Sequence, residues 1–188
     1  MYEKIKQQYE FSDYQMAQLG FLFKTLASEF SKLIIIGLFF TDTLPEYIFV
    51  TFALALLRLS TGGLHCHKYI SCLCVSFLYV FLCIRVLPLL YIPKLFQMVI
   101  LFICLLTNYY VGPVTSEIHM PLSKDRANKV KLQAFVIIFF FLVATYIIPE
   151  NPLITACFWV VVLHTIQLLI AKIRKKGETE NAEIKTYD

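Results

Sequence analysis

Four apolar runs, Tyr69–Ile92, Leu95–Val111, Leu132–Ile148 and Pro152–Ala171, carry a single charged residue between them, Arg85. About 20 mainly apolar residues let a helix cross the hydrocarbon core of a bilayer. A chain of 188 residues has no single core large enough to hide four such runs. The composition agrees: hydrophobic residues make up 59% and charged residues 16%, against about 45–50% and about 25% in soluble domains, and the mean hydropathy is +0.69. Intrinsic disorder, a disulfide-stapled secreted module and a basic nucleic-acid binder are excluded. The expected fold is an all-α integral membrane protein.

Two shorter stretches, Leu33–Thr41 and Tyr47–Leu57, raise the expected count to about six transmembrane helices. The first extends backwards through a segment bearing Lys24, Glu29 and Lys32, and either short stretch is alternatively re-entrant. Breakers separate the runs: Pro45, Gly62-Gly63, Pro93, Gly112-Pro113 with Pro121, and Pro149 to Pro152. Basic residues set orientation, because Lys and Arg accumulate on the cytoplasmic side. With both ends inside, fifteen of the seventeen basic residues fall on inner segments. The remaining two are Lys94, in an outer loop, and Arg85.

The chain reads as one domain, 1–188. Its parts are an amphipathic N-terminal region (1–32), a transmembrane core (33–171) and a basic, then polar, cytoplasmic tail (172–188). Within residues 15–32, Leu19, Leu22, Leu26 and Phe30 recur at steps of three and four, the spacing of an interfacial helix. The N-terminus lacks the pattern of a cleaved signal peptide. Most of the six cysteines sit in apolar runs and form no extracellular disulfide framework.

The chemistry concentrates in residues 58–72, RLSTGGLHCHKYISC. Gly62-Gly63 permits a tight turn, and a helix is expected to resume with Ser71 as its N-cap. Cys72 then occupies the first turn, where the positive end of the helix dipole favours the nucleophilic thiolate. His65 is seven residues earlier; on one continuous helix this is about 10.5 Å of rise, too far for contact. A Cys–His pair able to do covalent acyl transfer therefore requires residues 62–68 to be a loop. The same residues read otherwise: His65, Cys66, His67, Cys72 and Cys74 supply soft metal ligands, although their spacing matches no standard zinc module, and a non-enzymatic peptide exporter or scaffold would use His65 and Cys72 structurally.

The pattern Arg58, Gly62, Gly63, His65, Cys72 resembles the hallmark of the AgrB family, membrane peptidases of Gram-positive quorum sensing. Gly112-Pro113-Val114, Pro121-Leu122-Ser123 and the basic residues Lys124, Arg126, Lys129 and Lys131 are similar to the family's second segment. The resemblance covers nearly the whole chain. Departures are Thr115, where many members carry an acid, a Pro113-to-Pro121 spacing one residue long, and Cys66-His67 after the histidine.

The resemblance implies a cysteine endopeptidase that cuts the C-terminal tail from an AgrD-type propeptide. Cys72 would be the nucleophile and His65 the general base and then acid. A Cys72 thioester would pass to the peptide's own cysteine, closing a thiolactone ring. Arg58, Gly62 and Gly63 would position the loop or bind substrate, with Gly backbone N–H groups available to an oxyanion. Lys124, Arg126, Lys129 and Lys131 would hold an acidic tail, or simply mark topology and anionic lipid. Glu117 and His119 are candidates for a third catalytic group. Arg85, an intramembrane charge, either has a function or snorkels outward. His164 and Gln167 read as helix–helix contacts and Trp159 as packing or lipid contact. No cofactor, metal or nucleic acid is expected. The partners are the propeptide and the lipid bilayer, a homodimer being compatible, and the location is the bacterial cell membrane with termini and active site on the cytoplasmic side.

Overall fold

The computed structural model describes residues 13–61, 69–112 and 124–185, with no strand among them. The chain falls into two compact units, Met1–Asp42 and Thr43–Asp188.

The first unit contains α1, Asp13–Gly37. The expected interfacial helix at 15–32 and the short span from Leu33 are one continuous helix. No breaker lies between them, and Ser31 and Lys32 are held inside the helix: Ser31 Oγ donates to the Ser28 carbonyl at 2.9 Å, and Lys32 pairs with Glu29 one turn earlier. Of the expected apolar stripe, Leu26 and Phe30 are exposed and Leu19 is half-buried; the charged Lys24 and Glu29 are exposed as well. Past Gly37 the chain tightens, Phe39 N–H bonding the Ile36 carbonyl and Phe40 N–H that of Gly37.

Among the described residues the second unit carries five α-helices. Helix α2 is Leu44–Thr61, preceded by a 3-10 turn at Thr41–Thr43. Asp42 and Glu46 sit at its positive end and Arg58 in its last turn, the arrangement the helix dipole favours. Its buried residues, Tyr47, Val50, Ala53, Leu54, Leu57, Ser60 and Thr61, form one stripe. The stretch Thr41–Thr61 is long enough to cross a bilayer, which removes the length argument for a re-entrant Tyr47–Leu57.

Helix α3, Tyr69–Phe81, widens into a π-helical stretch at Leu82–Val86 and ends as a 3-10 turn at Leu87–Leu89. Pro88 is the cause: it has no N–H, and its ring would strike the carbonyl of Ile84 in a regular helix. Helix α4, Lys94–Val111, ends at Gly112. There φ is +69° and ψ −177°, a conformation essentially restricted to glycine.

Helix α5 spans Lys124–Ile147, eight residues longer at its start than the apolar run, and α6 spans Pro152–Lys185, well past Ala171. Apolarity marks only the part of a helix that lies in lipid; the ends continue where helix-forming polar residues meet water. Asn151 caps α6, its Oδ1 accepting from Leu153 N–H at 3.0 Å. Lys94, the first residue of α4, donates to the carbonyl of Ile148 at 3.2 Å, just past the end of α5.

Helices α2, α4, α5 and α6 pack together, with α6 touching each of the others. Its residues Ala156–Val161 are buried without interruption, followed by His164, Thr165, Leu168 and Ala171. Trp159 is core packing, its ring edge-on to Phe158 at 5.0 Å. Helix α3 meets α6 mainly through its π-helical and 3-10 end. Within its α-helical part, Tyr79 Oη donates to the Val160 carbonyl at 2.7 Å. Among the described residues five helices are long and apolar enough to cross a membrane: Thr41–Thr61, Tyr69–Leu89, Lys94–Val111, Ala127–Ile147 and Pro152–Arg174.

Candidate active site

Helix α2 ends at Thr61 and α3 begins at Tyr69, so the two are joined by seven residues. Those residues, 62–68, lie outside the described part of the chain and include Gly62, Gly63, His65, Cys66 and His67. What the structure gives is the frame on either side of them.

On the α3 side, the helix includes Ser71, which therefore does not serve as the N-cap. Tyr69, Ile70 and Ser71 are competent helical residues, so the helix starts before the serine. Cys72 keeps its place in the first turn. It is half-buried and forms no disulfide. Cys74 is exposed, whereas Cys83, Cys104 and Cys157 are buried and unavailable to a substrate. Arg85 lies thirteen residues further, about 20 Å along the helix. It is exposed in the π-helical stretch, at the other end of the span from Cys72.

On the α2 side Ser60 and Thr61, in the last turn, are polar and buried, whereas Leu59 is exposed. Thr61 Oγ1 donates to the Leu57 carbonyl at 2.8 Å and lies 2.6 Å from His164 Nε2, on α6. Arg58 is half-buried, and its Nε is enclosed with no hydrogen-bond partner. The guanidinium is close enough to Tyr79 and His164 to act on both electrostatically. His164 Nδ1 and Asn108 Oδ1 are likewise enclosed without partners. One unsatisfied buried polar atom costs about 1–3 kcal/mol, so this layer is not an arrangement that stability alone would select.

The second segment has a similar frame. Asn108 Nδ2 donates to Thr165 Oγ1 at 2.8 Å, linking α4 to α6 four residues before Gly112. Lys172 Nζ donates to the Val111 carbonyl at 3.1 Å. The Lys131 side chain lies against Gly112, where a Cβ would come within 2.5 Å of its Cε. Residues 113–123, with Glu117 and His119, are outside the described chain. Lys124, Arg126, Lys129 and Lys131 occupy the first two turns of α5, with Lys129 exposed and Lys131 half-buried. Cations at a helix N-terminus oppose its dipole, so they are not there to stabilise the helix.

A groove of about 450 Å³ between α2 and α5 is lined by Leu56, Leu59, Ser60, Leu132, Val136 and Ile137, together with Gln133. Among the described residues no three His, Cys, Asp or Glu side chains gather as a metal site.

The model of the accessory gene regulator B family matches residues 1–168. The chain belongs to the AgrB family. As an AgrB protein it is an all-α membrane protein that takes part in processing the peptide of accessory gene regulator quorum sensing. Comparisons with curated proteins and with solved structures give no match. In this AgrB chain the described frame unites Thr61 with His164, and Asn108 with Thr165. Neither pairing follows from spacing; the available signal was a polar side chain stranded in each apolar run.

Proposed function

We propose that this AgrB chain is a cysteine endopeptidase that removes the C-terminal tail of an AgrD-type propeptide and promotes thiolactone closure. The observation that carries the reading is the half-buried Cys72, in no disulfide, in the first turn of α3, seven residues after His65. The Cys72 thiolate attacks the peptide carbonyl at the tail junction. His65 takes the thiol proton and returns it to the leaving amine. The peptide is left on Cys72 as a thioester, and its own cysteine thiol displaces Cys72 in a nearly balanced exchange. A water-poor site at the membrane boundary protects the thioester from hydrolysis. Arg58 positions the Gly62-Gly63 loop, and the glycine N–H groups serve the oxyanion. Lys124, Arg126, Lys129 and Lys131 receive the acidic tail, an attraction between exposed charges that added salt weakens.

The test is co-expression with the cognate propeptide and mass spectrometry of both partners. A propeptide whose cysteine is replaced lacks the acceptor thiol, so the wild-type enzyme should accumulate a hydroxylamine-labile adduct on Cys72 or release a linear product. Cleavage by Cys72→Ala would sink the assignment. Orientation is the second part of the proposal: α1 makes a sixth crossing and both termini are cytoplasmic, as the basic residues require. A cysteine introduced at Glu150 should react with an impermeant reagent in intact cells and one at Asp188 should not; the reverse pattern refutes it.

A further inference from the structure

We infer that His164 is a positioning residue for the reaction, holding the end of α2 from which the His65 loop departs; this rests on the catalytic reading above. Three observations converge. His164 is buried in the middle of α6, the most enclosed helix, and its Nε2 is 2.6 Å from the hydroxyl of Thr61. Thr61 is the last residue of α2, four positions before His65. In either tautomer of the ring, His164 Nδ1 is enclosed without a hydrogen-bond partner, as is Arg58 Nε one turn before Thr61.

A ring nitrogen left unpartnered inside the bundle costs stability. Thr61 already satisfies its own donor within α2, so the helix needs no bond from His164 to end there. What the bond adds is a fixed relation between the start of the loop and α6. On the far side of residues 62–68, Cys72 lies in the first turn of α3, whose span is the less enclosed one. A catalytic pair with one member on α3 and one within residues 62–68 needs one anchor that does not move, because a displacement of about 1 Å can cost about 100-fold in rate. His164 and Thr61 make the α2 anchor that one. Neither side chain touches the substrate.

The experiment measures kcat and KM for propeptide cleavage by purified protein in lipid nanodiscs, with the rate of Cys72 alkylation at neutral pH, in His164→Ala, His164→Gln, Thr61→Val, Thr61→Ser and Cys72→Ala. His164→Ala and Thr61→Val should each lower kcat by about 10–100-fold with KM within twofold, and slow Cys72 alkylation. Thr61→Ser keeps the hydroxyl and His164→Gln keeps a donor, so both should recover most of kcat. The His164→Ala Thr61→Val double variant should be no slower than either single one, because the two groups act through one bond. Wild-type kcat in His164→Ala overturns the proposal. Equal loss in Thr61→Ser and Thr61→Val, tracking the fraction of folded protein, also overturns it, since that is the signature of packing alone. Cys72→Ala separates the two levels of inference. If it is inactive while His164→Ala is normal, only the positioning role fails; if it still cuts, the catalytic reading fails and the positioning role with it.

Discussion

Helices α3 and α6 are both apolar, both long enough to span a bilayer, and have nearly the same mean hydropathy, 2.4 and 2.2. They are held very differently. Half of the apolar window of α6 is buried inside the protein, against 17% for Tyr69–Leu89. Helix α6 touches α2, α4 and α5, and supplies the groups that fasten Thr61, Asn108 and Val111. Helix α3 is secured mainly by its far end, where the π-helical stretch and 3-10 turn meet α6, and by the Tyr79 hydroxyl on the Val160 carbonyl. The span that carries Cys72 is thus much less enclosed by protein than α6. Under the proposed function, a rigid post and a nucleophile that a peptide can reach are different requirements, and they fall on different spans. Local packing density sets how readily a segment opens.

The largest effect that would break this comparison lies with the cysteines. Cys72→Ala, on the accessible helix, should abolish cleavage, whereas Cys157→Ala on α6 and Cys74→Ala one helical turn from the site's start should retain it, as read by mass spectrometry of the propeptide. Loss of activity in Cys74→Ala with Cys72→Ala active would move the nucleophile and remove the contrast.

Packing comes next. Leu168 is buried on α6 and Leu78 is 55% exposed on α3. Leu168→Ala should cost about 2–5 kcal/mol, and Leu78→Ala less than about 0.5 kcal/mol, measured by reversible denaturation in mixed micelles. Equal costs would mean that α3 is covered as fully as α6. The smallest effect concerns the α4–α6 bond: Asn108→Leu and Thr165→Val in a double-mutant cycle should give a coupling of about 0.6 kcal/mol, the average for interhelical hydrogen bonds in membranes. A coupling near zero would leave His164 as the main polar fastener of α6.

Several elements were legible in the residues and others were not, for identifiable reasons. The apolar runs at 95–111 and 152–171 correspond to α4 and to the membrane part of α6, because Gly112 and Asn151-Pro152 punctuate them. Two helix starts were misplaced. Helix α5 begins at Lys124 rather than Leu132, and α3 includes Ser71, because hydropathy reports solvent while helical hydrogen bonding ignores it. Helix α1 runs through the boundary drawn at Leu33 for the same reason. The run Tyr69–Ile92 reads straight through Pro88, with Pro93 as its breaker; the π-helical stretch and 3-10 turn depend on how the carbonyls freed by Pro88 are accommodated. For the site, Cys72 in the first turn of a helix followed from the sequence. His65, Gly62 and Gly63 stand on the family pattern, since residues 62–68 lie outside the described chain.

By itself the sequence determined the solvent, the helical class, the family and the chemical types brought to residues 58–72. Each rests on composition or spacing, which are properties of the chain read in order. Only the tertiary structure decided that α6 is the central post and that Thr61 meets His164 and Asn108 meets Thr165. In a bilayer the lipid-facing and protein-facing sides of a helix are both apolar, so the periodicity that reveals a buried face in water is erased. A stranded polar side chain announces that it has a partner, but two residues 103 positions apart become neighbours only when the helices that carry them are packed.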